Sequence, residues 1–516
     1  MPVLTTRSVL RRSMLLASAS LLAGTGTPTA ASAAALPGHD GEALRTTPPP
    51  GWRNAYLPQE RAQSAVVGGL SQLTGDVPLL GQLTLGAAEL AFGHPGGRVR
   101  AAVAFLEPRA EREWYALDGV ARARPLAQAL LLAALLDDPR DFGGVDLVGR
   151  LEQLGAVGDT STRALAARAL TTAGSDSAAE RRDDLVGQQC GGGWWTVQPG
   201  TCDGAAPDVT ATAQAVLALR EAPEPASVTA AGAGLDWLAS AQGADGSFDD
   251  GLVLPTALAG RALGEAGRSE PAGRVAVWLR LAQASHQRDC GAKIPVGLVA
   301  PSRAAYGRAI EPGLPAGYER TWLPATAAAS HAMRFPPRGD GSWPRLKAPA
   351  GYQRGGSVGR FVAAGVPALM EVCLTLGDTG VLARADEQGR VVVRTRLPRA
   401  GGSVRVRLLA YDRKVVRRSE RVKLLQARRL TVSLRAPVIR PGGRQVAVVR
   451  DLAPQERVAL RYRGRIVARG LATEQGVLRA GFDVGRGTGR EPVVAVGRFA
   501  NRRGSAVFTL APASGR

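Results

Sequence analysis

Two hydrophobic periods divide this chain. Through residues 57–377, Ala- and Leu-rich runs recur at helical spacing and are separated by Gly, Pro and Asp. Residues 235–263 show the unit clearly: an apolar helix ending at Gln242, a turn at Asp245-Gly246-Ser247-Phe248, and a second helix opening at Pro255. After residue 380 the period drops to two. Val391-Val392-Val393-Arg394-Thr395-Arg396 and Val458-Ala459-Leu460-Arg461-Tyr462 alternate apolar residues with Arg, the pattern of strands with one buried and one solvent face. Helical hairpins followed by β-sandwich units are therefore expected, in a multidomain chain.

Internal repetition sharpens the helical half. Trp237-Leu238-Ala239-Ser240-Ala241-Gln242 returns 41 residues later as Trp278-Leu279-Arg280-Leu281-Ala282-Gln283. Ala164-Leu165-Ala166-Ala167-Arg168-Ala169-Leu170 is echoed by Ala257-Leu258-Ala259-Gly260-Arg261-Ala262-Leu263. In each repeat the first helix carries larger apolar residues, and the second is apolar nearly all round. A helix apolar on every side must be buried on every side. The second helices thus form an inner ring, the first cover it, and the fold expected is all-α, an α/α toroid of helical hairpins.

The segment Gln242-Gly243-Ala244-Asp245-Gly246-Ser247-Phe248 resembles the repeat motif of squalene cyclases and related terpenoid cyclases. Asp340-Gly341-Ser342-Trp343 is a half-match. Residues 189–213, with Cys190-Gly191-Gly192-Gly193-Trp194 and Asp208-Val209-Thr210-Ala211-Thr212-Ala213, resemble secreted actinobacterial prenyltransferase/squalene-oxidase repeat proteins, as does Asp141-Phe142-Gly143-Gly144. The chain is also similar to the transcobalamin-type toroid, which implies cobalamin as a ligand by analogy alone. Residues 451–510 resemble immunoglobulin-like modules of bacterial surface proteins. The organisation expected is a leader at 1–33, a poorly ordered lead-in at 34–56, the toroid at 57–377, and β units at 381–436 and 437–516.

Charge then changes the picture of partners. The formal net charge is +21, but 31 Lys and Arg stand against 9 Asp and Glu after residue 380, so the excess belongs to the β region. The expected partner for residues 381–516 is an anionic cell-wall polymer. Nucleic acid is not expected, because no stacking-aromatic motif accompanies the arginines. Arg11-Arg12 ahead of the apolar run 13–23, with Ala31-Ser32-Ala33 beyond, reads as an export signal by the Sec or twin-arginine route. That run is too short for a stable membrane span. A secreted, wall-associated protein is expected from these features. Cys190 and Cys202 bracket a short Gly/Trp-rich loop and Cys290 and Cys373 remain, so disulfides are expected, with three connectivities open.

Candidate chemistry is sparse. A substrate-protonating cyclase needs paired carboxylates, whereas Asp208 stands alone before a helix and reads first as an N-cap, second as an acid or ligand. Asp137-Asp138-Pro139-Arg140-Asp141 has a magnesium-binding string but falls in a helix-terminating turn. Asp289, Cys290 and His331 are the nearest equivalents of a prenyltransferase zinc set, yet Asp289 and Cys290 are adjacent, so no metal is expected. Arg338-Gly339-Asp340 is a chance tripeptide. The inner-helix N-termini should share one rim, favouring an anionic or polar ligand group. Its expected lining is Asp208, Thr210, Thr212 and Thr256, with Trp194, Trp195, Phe248 and Trp322 as apolar walls. The function implied is non-catalytic binding of a small molecule or surface partner. The alternatives are a terpenoid cyclase- or prenyltransferase-like enzyme and a cobalamin binder.

Overall fold

The computed structural model describes residues 53–512, apart from 74, 92–95, 115–119, 137, 286–289, 292, 336–343, 411–412 and 415–419. The leader, Asp137, Asp289, the Arg338-Gly339-Asp340 tripeptide and the Asp340–Trp343 half-match lie outside the described residues.

Thirteen α-helices are described: α1 (Arg53–Gly69), α2 (Val77–Leu90), α3 (Gly97–Leu106), α4 (Val120–Leu136), α5 (Leu147–Leu154), α6 (Thr160–Thr172), α7 (Ala178–Gly187), α8 (Val209–Leu219), α9 (Pro225–Ala241), α10 (Val253–Glu265), α11 (Ser269–Leu279), α12 (Arg303–Ala309) and α13 (Trp322–Ala332). Helices α2, α4, α6, α8, α10 and α13 pack in that order, and α13 returns to α2, so the ring is closed. Every residue of α8, α10 and α13 is buried. Against them pack α3, α5, α7, α9, α11 and, on α13, the N-terminal α1. An α/α toroid of six hairpins results. Helix α1 starts inside the stretch expected to be a lead-in.

One local device is repeated at three joints of the ring. The side-chain Nε2 of Gln189, Gln242 and Gln283 donates to the carbonyls of Gly193, Gly246 and Gly297, and also to Ala230, Pro271 and Pro58 on an outer helix of a following repeat. Next, the N–H groups of Trp195, Phe248 and Val299 donate to the hydroxyls of Thr212, Thr256 and Thr326 on inner helices, at 3.0, 3.0 and 2.9 Å. The three glycines have φ near +90°, and a Cβ there would meet the carbonyl oxygens of Ala233, Arg274 and Arg61 at 2.7, 2.7 and 2.1 Å. Only glycine allows both the turn and the approach. The third joint reaches back to α1 and closes the ring.

Strands begin at Arg345, so residues 345–377 belong to the β region and the toroid is shorter than its sequence suggested. Val358–Ala364 explains why: its burial alternates strictly, which is a strand period of two. The first β unit pairs a sheet of Arg345–Lys347, Val358–Ala364 and Val391–Arg396 with one containing Tyr352–Arg354, Glu420–Leu425, Gly402–Ala410, Glu371–Leu376 and Thr379–Arg384. Their inner faces share a core of Phe361, Val372, Leu374, Val406 and Leu408, against which Leu57 and Val296 of the toroid also pack. The second unit starts at Arg428, before the boundary expected at 437. One of its sheets runs in the order Arg428–Arg429, Arg502–Leu510, Gly489–Val496, Arg457–Tyr462, Arg465–Leu471; the other is Thr431–Leu434, Arg444–Arg450, Leu478–Asp483. Tyr462, Phe482 and Phe508 meet in its core at centroid separations of 5.6 to 6.4 Å.

Both disulfides form. Cys190–Cys202 closes the loop before α8, and Cys290–Cys373 ties the toroid to the first β unit. Arg280 donating to the Ala368 carbonyl at 3.0 Å strengthens that junction. No helix among the described residues is long and apolar enough to cross a membrane.

Candidate functional site

The residues expected to line a rim pocket are consumed by the repeat joints. Trp195 is fully buried and donates Nε1–H to the Leu185 carbonyl at 2.8 Å. Phe248, Thr256 and Thr212 belong to the N–H-to-hydroxyl joints, and Trp322, Thr210 and Thr212 are buried in the ring. Trp194 alone of that aromatic set keeps partial exposure. Asp208 caps α8, its Oδ1 accepting from Ala211 N–H at 2.6 Å. Asp138 holds the Arg140 N–H in an exposed turn. Cys290 is disulfide-bonded, and His331 lies buried in the ring core.

The rim itself is acidic, contrary to the expectation of an anion-favouring surface. Asp76, Asp159 and Asp208 cap α2, α6 and α8, and their carboxylates already satisfy the helix-end N–H groups that an anion would have used. Arg124 meets Asp159 at 3.2 Å. Burial raises the Asp208 carboxyl against the pull of its helix N–H groups. In the turn before α10, Asp249 is pushed up to about 6 by burial, then by Asp208 and Asp250. Asp249, Asp250 and Gly251 take φ values of 46°, 49° and 82°, three consecutive left-handed residues. Two of the three have a Cβ, so this turn holds backbone strain of about 1–3 kcal/mol per residue.

That strained turn forms one lip of an open cleft of about 860 Å³. Asp245, Ser247 and Asp250 supply one wall, and Ser302 and Arg303 at the head of α12 supply the other. Trp278 and Tyr306 lie beneath, and Arg384 enters from the first β unit. Asp245 is fixed from three sides: its Oδ1 accepts from Ser247 N–H and Oγ at 3.0 and 2.6 Å, and its Oδ2 accepts from Trp278 Nε1 at 3.1 Å. Burial opposes its ionisation, but these bonds and the Arg303 charge outweigh burial and lower its pKa. Tyr306 donates to Glu371 across the junction, and Arg384 reaches both Glu371 and the Leu281 carbonyl at 3.4 Å. Carboxylate, hydroxyl, guanidinium and aromatic groups therefore converge on a space of ligand size. Sequence reasoning found Asp245–Phe248 but missed Ser302 and Arg303, which a bridge between Leu252 and Ser302 brings near, and Arg384, which the domain junction supplies.

A second feature escaped the sequence. At the opposite end of the inner ring, Glu89, Arg168, Arg220, Arg261, Glu265, His331 and Arg334 form a buried charge network. Arg261 meets Glu265 at 2.9 Å and Glu89 at 3.5 Å; Arg334 meets Glu265 at 3.1 Å; His331 Nε2 lies 2.9 Å from Glu89. Burial resists ionisation of Glu265, yet Arg261, Arg220 and Arg334 hold it well below the usual carboxylate range. Burial lowers His331, against the pull of Glu89. Arg168 is 4% exposed, none of its three nitrogens has a hydrogen-bond acceptor, and burial with the Arg261 charge lowers it to about 9. The available signal was the echo itself, since Arg168 and Arg261 are charged residues at matched positions of otherwise apolar helices.

No protein-family model matches the chain, and no curated protein matches it. Among solved structures, the Escherichia coli adhesin FdeC is 12% identical, covering 33% of this chain and 64% of that one, with a TM-score of 0.26. The fibronectin(III)-like modules of Clostridium thermocellum CbhA are 12% identical over 32% of this chain and 93% of theirs, with a TM-score of 0.22. A C-terminal intimin fragment is 14% identical over 32% of this chain and 63% of its own, with a TM-score of 0.21. Each likeness spans about a third of this chain, and the chain spans less than two thirds of the FdeC and intimin structures.

Proposed function

We propose that this chain is an exported, non-catalytic binding protein whose ligand sits in the cleft between toroid and first β unit, and whose basic β region retains it at an anionic cell envelope. The cleft carries the reading: fixed Asp245, strained Asp250-Gly251, and Arg303 and Arg384 face one 860 Å³ space. Its polar groups come in both signs, so the ligand class is a small polar molecule with cationic and anionic or hydroxyl groups. Four cysteines in two disulfides support export. The closed ring with Gln-to-carbonyl joints supports kinship with the prenyltransferase/squalene-oxidase repeat toroids.

A thermal-shift screen of polar metabolites and corrinoids on the full chain tests the reading, because a ligand of the native state raises apparent stability. A true hit loses its shift in Arg303→Ala and Asp250→Asn. Hits indifferent to both substitutions would place the ligand elsewhere.

A second reading, an acid-initiated isoprenoid enzyme, is favoured by one observation. Asp249, drawn up to about 6 with Asp208 among the causes, holds a proton nearer neutrality than an ordinary carboxyl does. Turnover of isoprenoid substrates that disappears in Asp249→Asn would establish it. Absence of turnover leaves the binding reading standing.

A further inference from the structure

The second β unit has two outer sheet faces, and they differ in a way that sequence composition hides. Consider the six-stranded sheet, in which Val438–Ile439 also pairs with Arg502–Leu510. Its register sets Arg429 beside Arg503, Arg503 beside Val496, Val496 beside Ala459, and Ala459 beside Arg469, one row across five of its strands. Because alternate residues share a face, Arg457, Arg461 and Arg490 lie on the same side, along with Val494, Pro492, Ser505, Val507 and Thr509. Leu471 stands opposite Arg457, Ile466 opposite Arg461, and Val438 beside Thr509. All six arginines are exposed, no ion pair is recorded for any of them, and no carboxylate lies on these rows. The other sheet, by contrast, sets Arg444 opposite Asp483.

The apolar residues on this face are also exposed. Val438, Leu471, Val507 and Ile466 are 57, 52, 47 and 39% accessible. They are four of the nine large hydrophobic residues exposed among the described residues. They form two pairs at opposite edges of the sheet, Val438 with Val507 on one side and Ile466 with Leu471 on the other, so apolar groups flank the cations. With strands ~4.8 Å apart and ~3.3 Å per residue, the cations are spread over roughly 19 by 26 Å, in two dimensions, with aliphatic groups on both flanks. A linear polyanion would be followed by a single line of charges and has no use for the aliphatic groups.

We propose that this face docks on an acidic phospholipid bilayer surface, its arginines meeting headgroup phosphates and Val438, Ile466, Leu471 and Val507 entering the interfacial layer. The inference rests on the envelope-retention reading and names its partner. Arginine suits the role, since its guanidinium pairs with phosphate while its stem lies along apolar surface.

The test is co-sedimentation of the full chain with phosphatidylcholine vesicles, with and without phosphatidylglycerol. Binding only to acidic vesicles is expected, falling roughly a hundredfold or more in Arg457→Glu/Arg461→Glu/Arg469→Glu, given an attraction of about one kcal/mol per arginine. Arg444→Glu/Arg450→Glu/Arg479→Glu, an equal charge change on the opposite sheet, should retain most of the binding. Leu471→Gln/Val507→Gln should weaken binding while leaving net charge intact. The neutral triple Arg457→Gln/Arg461→Gln/Arg469→Gln guards against misfolding of the Glu variant. Equal losses from the two triple-Glu variants would overturn the assignment of the face. Tight binding to soluble poly(glycerol phosphate) with none to acidic vesicles would replace the bilayer by a polymer and keep envelope retention. Binding to neither would remove both readings.

Discussion

At the scale of single residues, matched positions do opposite work. Arg168 and Arg261 occupy equivalent places on inner helices, but Arg261 is paired with Glu265 and Glu89 while Arg168 has no acceptor. Removing a partner from a buried pair leaves an uncompensated charge, whereas removing an unpaired buried cation relieves one. Arg261→Met should therefore destabilise by about 3–5 kcal/mol, and Arg168→Met should be neutral or stabilise by about 1–4 kcal/mol. Chemical denaturation of both variants reads the two signs. Asp249 gives a pH prediction. Its folded pKa of about 6 lies above the ordinary aspartate value of 3.8, so between these the native state binds more protons than the unfolded chain. The Asp249 contribution to stability should then fall as pH rises from about 4 to 6. Asp249→Asn should flatten this part of the stability profile, and a profile unchanged by the substitution would reject the assignment.

Among the elements, what the sequence revealed follows from periodicity. Helices apolar on every side had to be an inner ring, and α8, α10 and α13 are buried along their whole length. Alternation in Val391–Arg396 gave strands, and its burial alternates over the first four residues. The aromatic candidates were misread because composition cannot tell an aromatic that fills a joint from one that faces a ligand. Trp195 and Phe248 are held by Leu185 and Thr256, partners that lie ten and eight residues away. The cleft was illegible for another reason: Arg303 and Arg384 are 81 positions apart in the chain, and Arg384 reaches the cleft from the first β unit. The joints make a testable claim of their own. In Gly297→Ala a Cβ would stand 2.1 Å from the Arg61 carbonyl at a residue with φ +93°, so α1 must shift. A loss of about 3 kcal/mol is expected by thermal or chemical unfolding, with α1 amides gaining hydrogen exchange ahead of α8.

For the whole molecule, the junction is the part on which ligand binding depends. Cys290–Cys373 spans 83 residues and fastens the toroid to the sheet that supplies Arg384. Cys290→Ser/Cys373→Ser should lower stability by about 4 kcal/mol through the released loop, and should weaken any cleft ligand. Cleft binding that survives this loss intact would show that the junction holds its geometry without the bridge.

The joint between Gln283 and Pro58 has a further consequence, for time rather than strength. Its two ends are 225 residues apart, so α1, made first, cannot find its place on α13 until nearly the whole toroid has been synthesised. Contacts this distant in sequence pass through slow, loop-closing steps and leave apolar inner helices exposed meanwhile. The chain should accordingly fold slowly and depend on chaperone protection until α1 docks. Refolding rates should then track the accessibility of α1, and a chain truncated before residue 283 should remain open however long it is given.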